Sequence, residues 1–304
     1  MATWVEDMTV AMTKKAKKVL AWYLPEPGKL VLYRIWQYIY DMRLSTFGIK
    51  YISDVENIYH CTVHKAGSQW FREVLFDPLI YQWCGLKPWL RRIKGIDPRS
   101  YWDRYYERSF PRRRIVTPLY IRYEAFQKIP KPVNYRAFFV ARDPRNITVS
   151  YYFSMKFTHT PMGDVPKKRA ALQNMGIEEG LIWTIRYLRD YGLYDALKSW
   201  KDAEEQDTNV LVVKLEDFSG STARESLRKL LVHCDIRLPV CKVDELLTKY
   251  GLDSMRSKDH RVVAGLSHYR SGRVDQWKEY FNTEIEHYFK NATGNLVELL
   301  GYDW

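Results

Sequence analysis

The sequence has little cysteine and no long hydrophobic run. Four of its 304 residues are cysteines, and no two of them have the CxxC spacing of a redox or zinc pair. So few cysteines do not make a disulfide framework in a chain of this length, and we expect a reducing, cytoplasmic compartment. No uncharged stretch approaches the roughly 20 residues of a membrane-spanning helix, and residues 1–23 do not have the pattern of a secretory signal.

Signatures of several common enzyme classes are also missing. The chain has neither HExxH nor clustered carboxylates at ligand spacing, so we expect no metal cofactor. The loop GxxxxGK[ST] of ATP- and GTP-hydrolysing enzymes is absent, as are internal repeats and low-complexity tracts. What remains is a soluble globular protein with one large domain or two modest ones.

Positive charge is abundant. Lysine and arginine total 48 against 36 acidic residues, which gives a formal net charge of +12 at pH 7. A balance of this kind favours polyanionic partners, which include nucleic acid, an anionic membrane surface and a small ligand with several phosphates. Composition alone does not choose among them.

Residues 1–52 form a basic, aromatic-rich lead. Apolar residues between Met8 and Tyr23 recur at helical spacing beside a lysine cluster, which predicts an amphipathic helix. We favour packing of this helix on the main domain, and the alternative is contact with a membrane surface or with a second copy of the chain. The predicted organisation is a helical extension over 1–52 followed by a domain over 53–304.

From Asn57 onward, strand patterns alternate with helix patterns. We predict strands over 57–63, 114–117, 137–141 and 209–213, each followed by a helical pattern. Such alternation indicates an α/β fold in three layers, with a central parallel sheet covered by helices. Residues 158–176 contain prolines, a glycine and a basic run, which predicts a surface loop or lid, and residues 254–272 lack periodicity, which predicts a long loop. Residues 177–200 and 276–289 are predicted helices.

The first candidate site segment lies between the first strand and its helix, over residues 64–70. Gly67 allows a tight turn there, and the exposed backbone N–H groups and the helix dipole form an anion cradle. Lys65 adds a positive charge to that cradle. A plain connection between a strand and a helix would give the same local pattern.

Two further basic segments follow along the chain. Arg142 stands at the end of a buried strand, where it either binds an anion or caps neighbouring carbonyls. Ser150 lies about two turns into the next helix, so it can share an anion with Arg142 only if the site lies beside that helix. The third segment, residues 270–278, would by itself indicate a solvated run of charge.

Together and in this order, the three segments resemble the sulfotransferase family. They match a KxGxxW-type loop, an R(D/N)P segment with a serine eight positions beyond the arginine, and an RxGxxxxWK segment near the C-terminus. The resemblance spans about residues 57–278. It implies a fold like that of P-loop NTPases, 3′-phosphoadenosine 5′-phosphosulfate (PAPS) as sulfuryl donor, adenosine 3′,5′-bisphosphate (PAP) as product, and no metal.

The resemblance also assigns residues to the cofactor. Lys65 matches the lysine at the bridging oxygen, Trp70 the tryptophan on the adenine, and Arg142 with Ser150 the pair at the 3′-phosphate. The complete predicted cofactor-binding set is Lys65, Ala66, Gly67, Ser68, Gln69, Trp70, Arg142, Ser150, Tyr250, Leu252, Arg270, Ser271 and Gly272.

The catalytic base is an open question, because the family's KTH segment is missing and residues 115–119 read IVTPL. Lys65 is the predicted catalytic cation, and the two leading candidates for the base are Glu124 and His64. Further candidates are Asp77, His159, a tyrosine, or no protein base at all. The family's tyrosine before an acidic pair is also replaced, by Leu215, which predicts weaker stacking on the adenine.

The predicted function is transfer of the sulfuryl group of PAPS to a hydroxyl or amine of a small organic acceptor, possibly a specialised metabolite. Aromatic residues between Trp83 and Tyr106 fall where the family builds its acceptor pocket, although ordinary packing explains them equally well. Residues 281–284 loosely match the family's dimer contact. The alternatives are a basic nucleic-acid-binding protein without catalysis and a P-loop kinase-like enzyme, but we expect no nucleic acid partner.

Overall fold

The computed structural model describes residues 26–89, 101–159, 161, 163–257 and 274–304. Two compact units divide the chain: residues 1–47 with 89–94, and residues 48–88 with 95–304. The described part of the first unit contains the helix α1 (Glu26–Ser45). The predicted helix over 8–23 lies outside the described residues, and the predicted boundary at residue 52 stays a prediction.

The second unit contains a parallel sheet. Its described strands are β1 (Asn57–Thr62), β2 (Lys87–Pro88), β3 (Arg114–Tyr120), β4 (Tyr135–Ala141) and β5 (Val210–Lys214). They lie in the order β2-β3-β1-β4-β5, and all neighbouring pairs are parallel. The four predicted strands are therefore present with small shifts of their ends, and β2 is an addition that was too short to predict.

Pairing between β1 and β4 brings two predicted site segments together. Asn57 pairs with Tyr135, and the register continues without a break to Thr62 beside Val140. Parallel strands in register end at the same edge of a sheet. The loop after β1 and the segment after β4 therefore begin side by side.

Helices connect and cover the strands. In the second unit they are α2 (Ser68–Leu75), α3 (Pro78–Gln82), α4 (Tyr123–Gln127), α5 (Pro144–Phe153), α6 (Val165–Gln173), α7 (Ile177–Asp190), α8 (Leu193–Lys198), α9 (Ala203–Gln206), α10 (Ala223–His233), α11 (Val240–Lys249), α12 (Leu252–Ser257), α13 (Thr283–Thr293) and α14 (Leu296–Leu299). None of the described helices is long and apolar enough to cross a membrane.

Alternating side chains of the strands pack on both faces of the sheet. On one face, Ile58 and Phe138 join the cluster that contains Phe71 of α2 and apolar residues of α10 and α11. On the other face, the ring of Phe139 stacks on Trp200 with 4.6 Å between the centroids. Side chains of a strand point alternately to its two faces, so this packing gives the three layers that the sequence predicts.

Four sequence predictions of helices and loops are wrong in whole or in part. Residues 158–176 do not form one loop, because Pro166 in the first turn and the following lysine, arginine and alanine residues favour the helix α6. Residues 177–200 are not one helix, since Gly192 has a φ of 72° and separates α7 from α8. The helix predicted over 276–289 is interrupted before Asn282, whose side chain caps α13. Of the predicted loop at 254–272, the described start belongs to α12.

Candidate active site

The loop between β1 and α2 has a strained backbone at two positions. Lys65 has a φ of 69° and Gly67 a φ of 75°, and such values favour glycine. A Cβ atom on Gly67 would also lie 2.4 Å from Cδ1 of Leu215. The backbone conformation therefore favours glycine at position 67, and the side chain of Leu215, which packs against the loop, would have to move to admit a larger residue.

The loop presents backbone donors at the start of α2. Among the described residues, none accepts a hydrogen bond from the backbone N–H groups of Ala66, Gly67, Ser68 and Gln69. The first N–H groups of a helix have no partner within the helix, and together with the dipole they favour an anion. The loop thus has the donors that a phosphate or sulfate group needs, and its role in binding the cofactor stays a prediction.

Arg142 joins the segment after β4 to this loop. Its guanidinium donates a hydrogen bond to the backbone oxygen of Lys65 at 2.8 Å, which is the carbonyl-capping arrangement that the sequence left as one of two alternatives. Anion binding by Arg142 stays a prediction. Burial lowers the pKa of Arg142, and the carboxylates of Glu216 and Asp143 oppose that shift. Two basic residues, Arg142 and Lys65, therefore lie at one edge of the sheet.

A buried ion pair fixes the start of α5. Asp143 accepts a hydrogen bond from the backbone N–H of Arg145 at 2.8 Å, and the Arg145 guanidinium lies 2.7 Å from the Asp143 carboxylate. Removing one partner of such a pair leaves an uncompensated buried charge. The pair therefore holds the residue next to Arg142 in one position.

Glu216, in the turn after β5, links the same segment to the end of the chain. Its carboxylate accepts hydrogen bonds from the backbone N–H of Asp143 at 3.1 Å and from the Tyr302 hydroxyl at 2.9 Å. Burial raises the pKa of Glu216, while Arg142 and these hydrogen bonds lower it. Sequence reasoning noted Glu216 only as a member of an acidic pair.

The described end of the third segment lies against α5. Asn146 accepts a hydrogen bond from the backbone N–H of Trp277 at 3.0 Å and donates one to the backbone oxygen of Val274. The Arg145 guanidinium lies 3.7 Å from the centre of the Trp277 ring. Arg270, Ser271 and Gly272 lie outside the described residues. Val274 and Trp277, which follow them, contact Arg145 and Asn146 at the start of α5.

Two residues expected at the adenine are in contact. The indole nitrogen of Trp70 donates to the backbone oxygen of Tyr250 at 2.9 Å. The Tyr250 hydroxyl in turn donates to Asp77 at 2.9 Å, and Lys249 lies 2.7 Å from the same carboxylate. Asp77 also caps α3, so this carboxylate is engaged in structure. Leu252 is the first residue of α12.

The two leading base candidates occupy different places. Glu124 has an exposed side chain on α4 and makes no hydrogen bond or ion pair with a described residue of the loop. His64 lies in the loop, with its ring 4.5 Å from the ring of Tyr120. Burial lowers the pKa of His64 to about 3, and Lys65 and other basic groups add to that shift. The structure brings His64 to the site and does not bring Glu124 there.

Tyr120 is a site residue that the sequence analysis did not single out. It ends β3, next to β1, and its hydroxyl lies 2.9 Å from the hydroxyl of Ser68. The strand order could have identified it, because only the neighbours of β1 end beside the loop.

Ser150 has a partly exposed side chain on α5, which leaves its hydroxyl accessible.

A family comparison covers all three segments. A model of the sulfotransferase domain matches residues 56–301. The chain belongs to the sulfotransferase family. This finding confirms the predicted family, enzyme class and reaction, sulfuryl transfer, and it favours them over the nucleic-acid-binding and kinase-like alternatives. No curated protein sequence matches the chain significantly.

Solved structures confirm the fold. Mouse sulfotransferase SULT7A1 complexed with PAP is 18% identical, with 81% of this chain and 85% of that chain covered and a TM-score of 0.54. Retinol dehydratase in complex with androsterone and PAP is 12% identical, with 82% of each chain covered and a TM-score of 0.52. Within the described part of this sulfotransferase, no group of three or more His, Cys, Asp or Glu residues could hold a metal ion.

Proposed function

We propose that this sulfotransferase uses PAPS and acts on a hydroxyl or amine of a small organic acceptor. One observation carries the proposal: the hydrogen bond of 2.8 Å from Arg142 to the backbone oxygen of Lys65, which joins two basic segments around one edge of the sheet. A nucleotide with phosphates at two positions needs cations and backbone donors at two separated places.

The residues at this edge fit such a nucleotide. The donors of Ala66 to Gln69 would hold the 5′-phosphosulfate end, and Arg142 with Ser150 would hold the 3′-phosphate. Trp70, fixed by its hydrogen bond to Tyr250, would contact the adenine. Leu252 and the segment Arg270, Ser271 and Gly272 complete the proposed set.

When bound, PAPS supplies the sulfuryl group. The contribution of Lys65 is electrostatic, because an ammonium group in this loop stabilises negative charge that forms at the leaving oxygen. The left-handed backbone at Lys65 and the bond from Arg142 hold the residue in its place in the loop. Positioned charge needs little reorganisation during the reaction, which is the source of its catalytic effect.

The position of His64, in the loop next to Lys65, makes it a better candidate than Glu124 for the residue that accepts the proton of the acceptor. The imidazole is neutral at physiological pH because its pKa is lowered to about 3. It can accept a hydrogen bond from an acceptor hydroxyl, but it holds a proton poorly. A clear fall in the transfer rate of Glu124→Gln across the pH profile would return the exposed carboxylate to the role of base.

The test of the proposed function is direct. The full chain is incubated with PAPS and a mixture of phenols, alcohols and amines, and mass spectrometry follows the addition of SO3. We expect a sulfated product that forms only with PAPS, together with release of PAP. Absence of PAP binding by calorimetry, with no product from any acceptor, would overturn the proposal.

Contacts outside the site are a separate part of the proposal. On α1, the exposed apolar residues lie at the spacing of one helical face: Val31, Ile35, Tyr38, Ile39 and Met42. This face supports a peripheral contact of the extension with a membrane surface in a cytoplasmic protein, which the sequence offered for residues 1–23 as the alternative to packing on the main domain. Sedimentation of the full chain with anionic vesicles, and loss of sedimentation in Ile35→Ser, would test this contact.

A homodimer through residues 281–284 is the remaining proposal on partners. Asn282 caps α13 and donates to the carboxylate of Glu178 at 2.7 Å. Phe281 is buried against the ring of Trp277 in the same chain. Light scattering at several concentrations distinguishes a dimer from a monomer.

A further inference from the structure

The Asp77 carboxylate joins the corner between α2 and α3 to the end of α11. Its side chain is 2% exposed. One oxygen accepts a hydrogen bond from the backbone N–H of Leu79 at 2.9 Å. The other oxygen accepts from the Tyr250 hydroxyl at 2.9 Å and from the Lys249 ammonium at 2.7 Å. A buried carboxylate holds such donors firmly, because loss of one of them leaves an incompletely paired charge.

The two donors from the end of α11 differ in burial. Lys249 is the last residue of α11, and Tyr250 follows it. The Lys249 side chain is 47% exposed, whereas Tyr250 is buried in the cluster that contains Phe71 and Leu246. Solvent screens the exposed ammonium more than the buried hydroxyl. The Tyr250 hydroxyl is therefore the main attachment of the end of α11 to Asp77.

The backbone of Tyr250 connects this attachment to Trp70. The indole nitrogen of Trp70 donates to the backbone oxygen of Tyr250 at 2.9 Å. Phe71 and Phe218 pack on the indole at interplanar angles of 89° and 59°, with 4.8 and 5.7 Å between the centroids. Trp70 is nevertheless partly exposed. Its orientation depends on one hydrogen bond and two ring contacts, and that hydrogen bond depends on the position of Tyr250.

A fixed ring binds a flat base better than a mobile ring does. A mobile ring loses conformational freedom when a base stacks on it, and this loss reduces the affinity. The phosphate groups of a nucleotide gain nothing from the indole, since they need cations and backbone donors. The hydrogen bonds of Asp77 should therefore affect the binding of the base and leave the binding of the phosphates unchanged.

We propose that Asp77 is a positioning residue that sets the preference of this sulfotransferase for the adenine base, through Tyr250 and the indole of Trp70. The inference rests on the proposed function, in which Trp70 contacts the adenine. Burial keeps Asp77 from touching the nucleotide, so its action is indirect. Its three hydrogen bonds determine where the backbone oxygen of Tyr250 lies, and this oxygen determines how the indole is oriented.

The test compares two ligands of the full chain, PAP and ribose 3,5-bisphosphate, which carries both phosphates but no base. Calorimetric titration gives the two dissociation constants, and their ratio measures the contribution of the base. Stacking of a base on an aromatic side chain corresponds to about 5-fold to 150-fold in affinity. We expect the wild-type chain to prefer PAP by a factor in this range.

Two variants break the connection at different bonds. Tyr250→Phe removes the hydroxyl alone. Asp77→Ser removes both attachments of α11 but keeps a residue type that caps helices as well as aspartate does. Each should lower the preference for PAP about threefold to fivefold, the effect of one lost hydrogen bond, with little change in the affinity for ribose 3,5-bisphosphate. The matched control is Lys242→Met, which breaks an exposed ion pair with Glu245 on α11 and should change neither constant.

A double-mutant cycle separates positioning from general support of the fold. In Trp70→Ala the preference for PAP should already be small, and adding Asp77→Ser should not lower it further, because the two residues act through one contact. A purely structural role of Asp77 would weaken the binding of both ligands alike, and it would persist without the indole.

The outcomes distinguish this inference from the proposed function. If neither ligand binds the wild-type chain, the proposed function fails and the inference falls with it. If both bind, but Asp77→Ser and Tyr250→Phe keep the wild-type ratio or weaken both ligands equally, only the inference is overturned. The same conclusion follows if Asp77→Ser lowers the ratio as much in Trp70→Ala as in the wild type. Should Asp77→Ser fail to fold, Tyr250→Phe decides alone, since it removes a single hydroxyl.

Discussion

The two proposed sides of the active site are built by different kinds of contact. On the donor side, the Lys65 loop, Arg142 and the buried Asp143–Arg145 pair are fixed by directional hydrogen bonds and charge. On the proposed acceptor side, the rings of His64, Tyr120, Trp183 and Tyr187 are held by ring packing. Charged groups of a ligand need donors at fixed points, whereas a flat ring needs only a flat surface. The donor side should therefore tolerate substitution far less.

The largest effect should come from Lys65→Ala. We expect transfer to fall by roughly 100-fold to 1000-fold, because a positioned charge at the leaving oxygen is lost. The fold should persist, since the loop is partly exposed. Steady-state rates with PAPS, alongside a thermal melt, measure both effects. The control Lys201→Ala alters an exposed lysine outside the site and should keep the wild-type rate. Unchanged turnover in Lys65→Ala would remove this residue from the mechanism.

Arg142→Ala should weaken binding of PAP more than it slows transfer at saturation. A charge-assisted hydrogen bond contributes about 1.5–3 kcal/mol, which corresponds to a loss of affinity of about 10-fold to 150-fold. Calorimetric titration of PAP measures this loss. Equal affinity in the wild type and the variant would contradict the role of Arg142 at the 3′-phosphate.

On the acceptor side, the lowered pKa of His64 should make the stability of the fold depend on pH. Its pKa is lowered from 6.5 to about 3 in the folded chain, so the unfolded chain binds more protons between these values. The stability present above pH 6.5 should be lost as the pH falls toward 3, by at most about 1.4 kcal/mol per pH unit for this group.

His64→Gln should make that loss shallower, and urea unfolding at several pH values measures it. His60 has the same lowered pKa, also about 3, so part of the slope should remain in the variant. An identical slope in the wild type and His64→Gln would show that His64 titrates as it does in the unfolded chain.

The smallest effect should come from Tyr302→Phe, which tests how rigid the donor side is. The Tyr302 hydroxyl donates to Glu216, and Glu216 accepts from the backbone N–H of Asp143. Loss of one such hydrogen bond costs about 1 kcal/mol, and we expect the affinity for PAP to fall about fivefold. If only the melting temperature changes, the hydrogen bond stabilises the fold without positioning Arg142.

The donor side was largely predictable because its signals are local. A glycine turn after a buried strand and an arginine after a neighbouring strand are each visible within ten residues. The parallel sheet then follows from the alternation of strands and helices. The contacts of Asp77 with Lys249 and Tyr250 were not predictable, because those residues are far apart in sequence.

The ring packing of the proposed acceptor side was not predictable for the same reason. Its rings come from the loop, from β3, from residue 101, and from α7 and its C-terminal end. The interval of four residues joins only Trp183, Tyr187 and Tyr191. Helix α6, which carries Lys168, was predicted as loop because proline and glycine precede it, although its own residues favour a helix. Only the folded chain shows that Lys168 reaches Tyr187.

The central claim is that the Lys65 loop and Arg142 hold one nucleotide at two phosphate positions. The most direct measurement is the ratio of affinities for PAP and adenosine 5′-monophosphate, which lacks the 3′-phosphate, in the wild type and in Arg142→Ala. The account predicts a strong preference for PAP in the wild type and a much smaller one in the variant. An unchanged ratio, or no preference in the wild type, would contradict it.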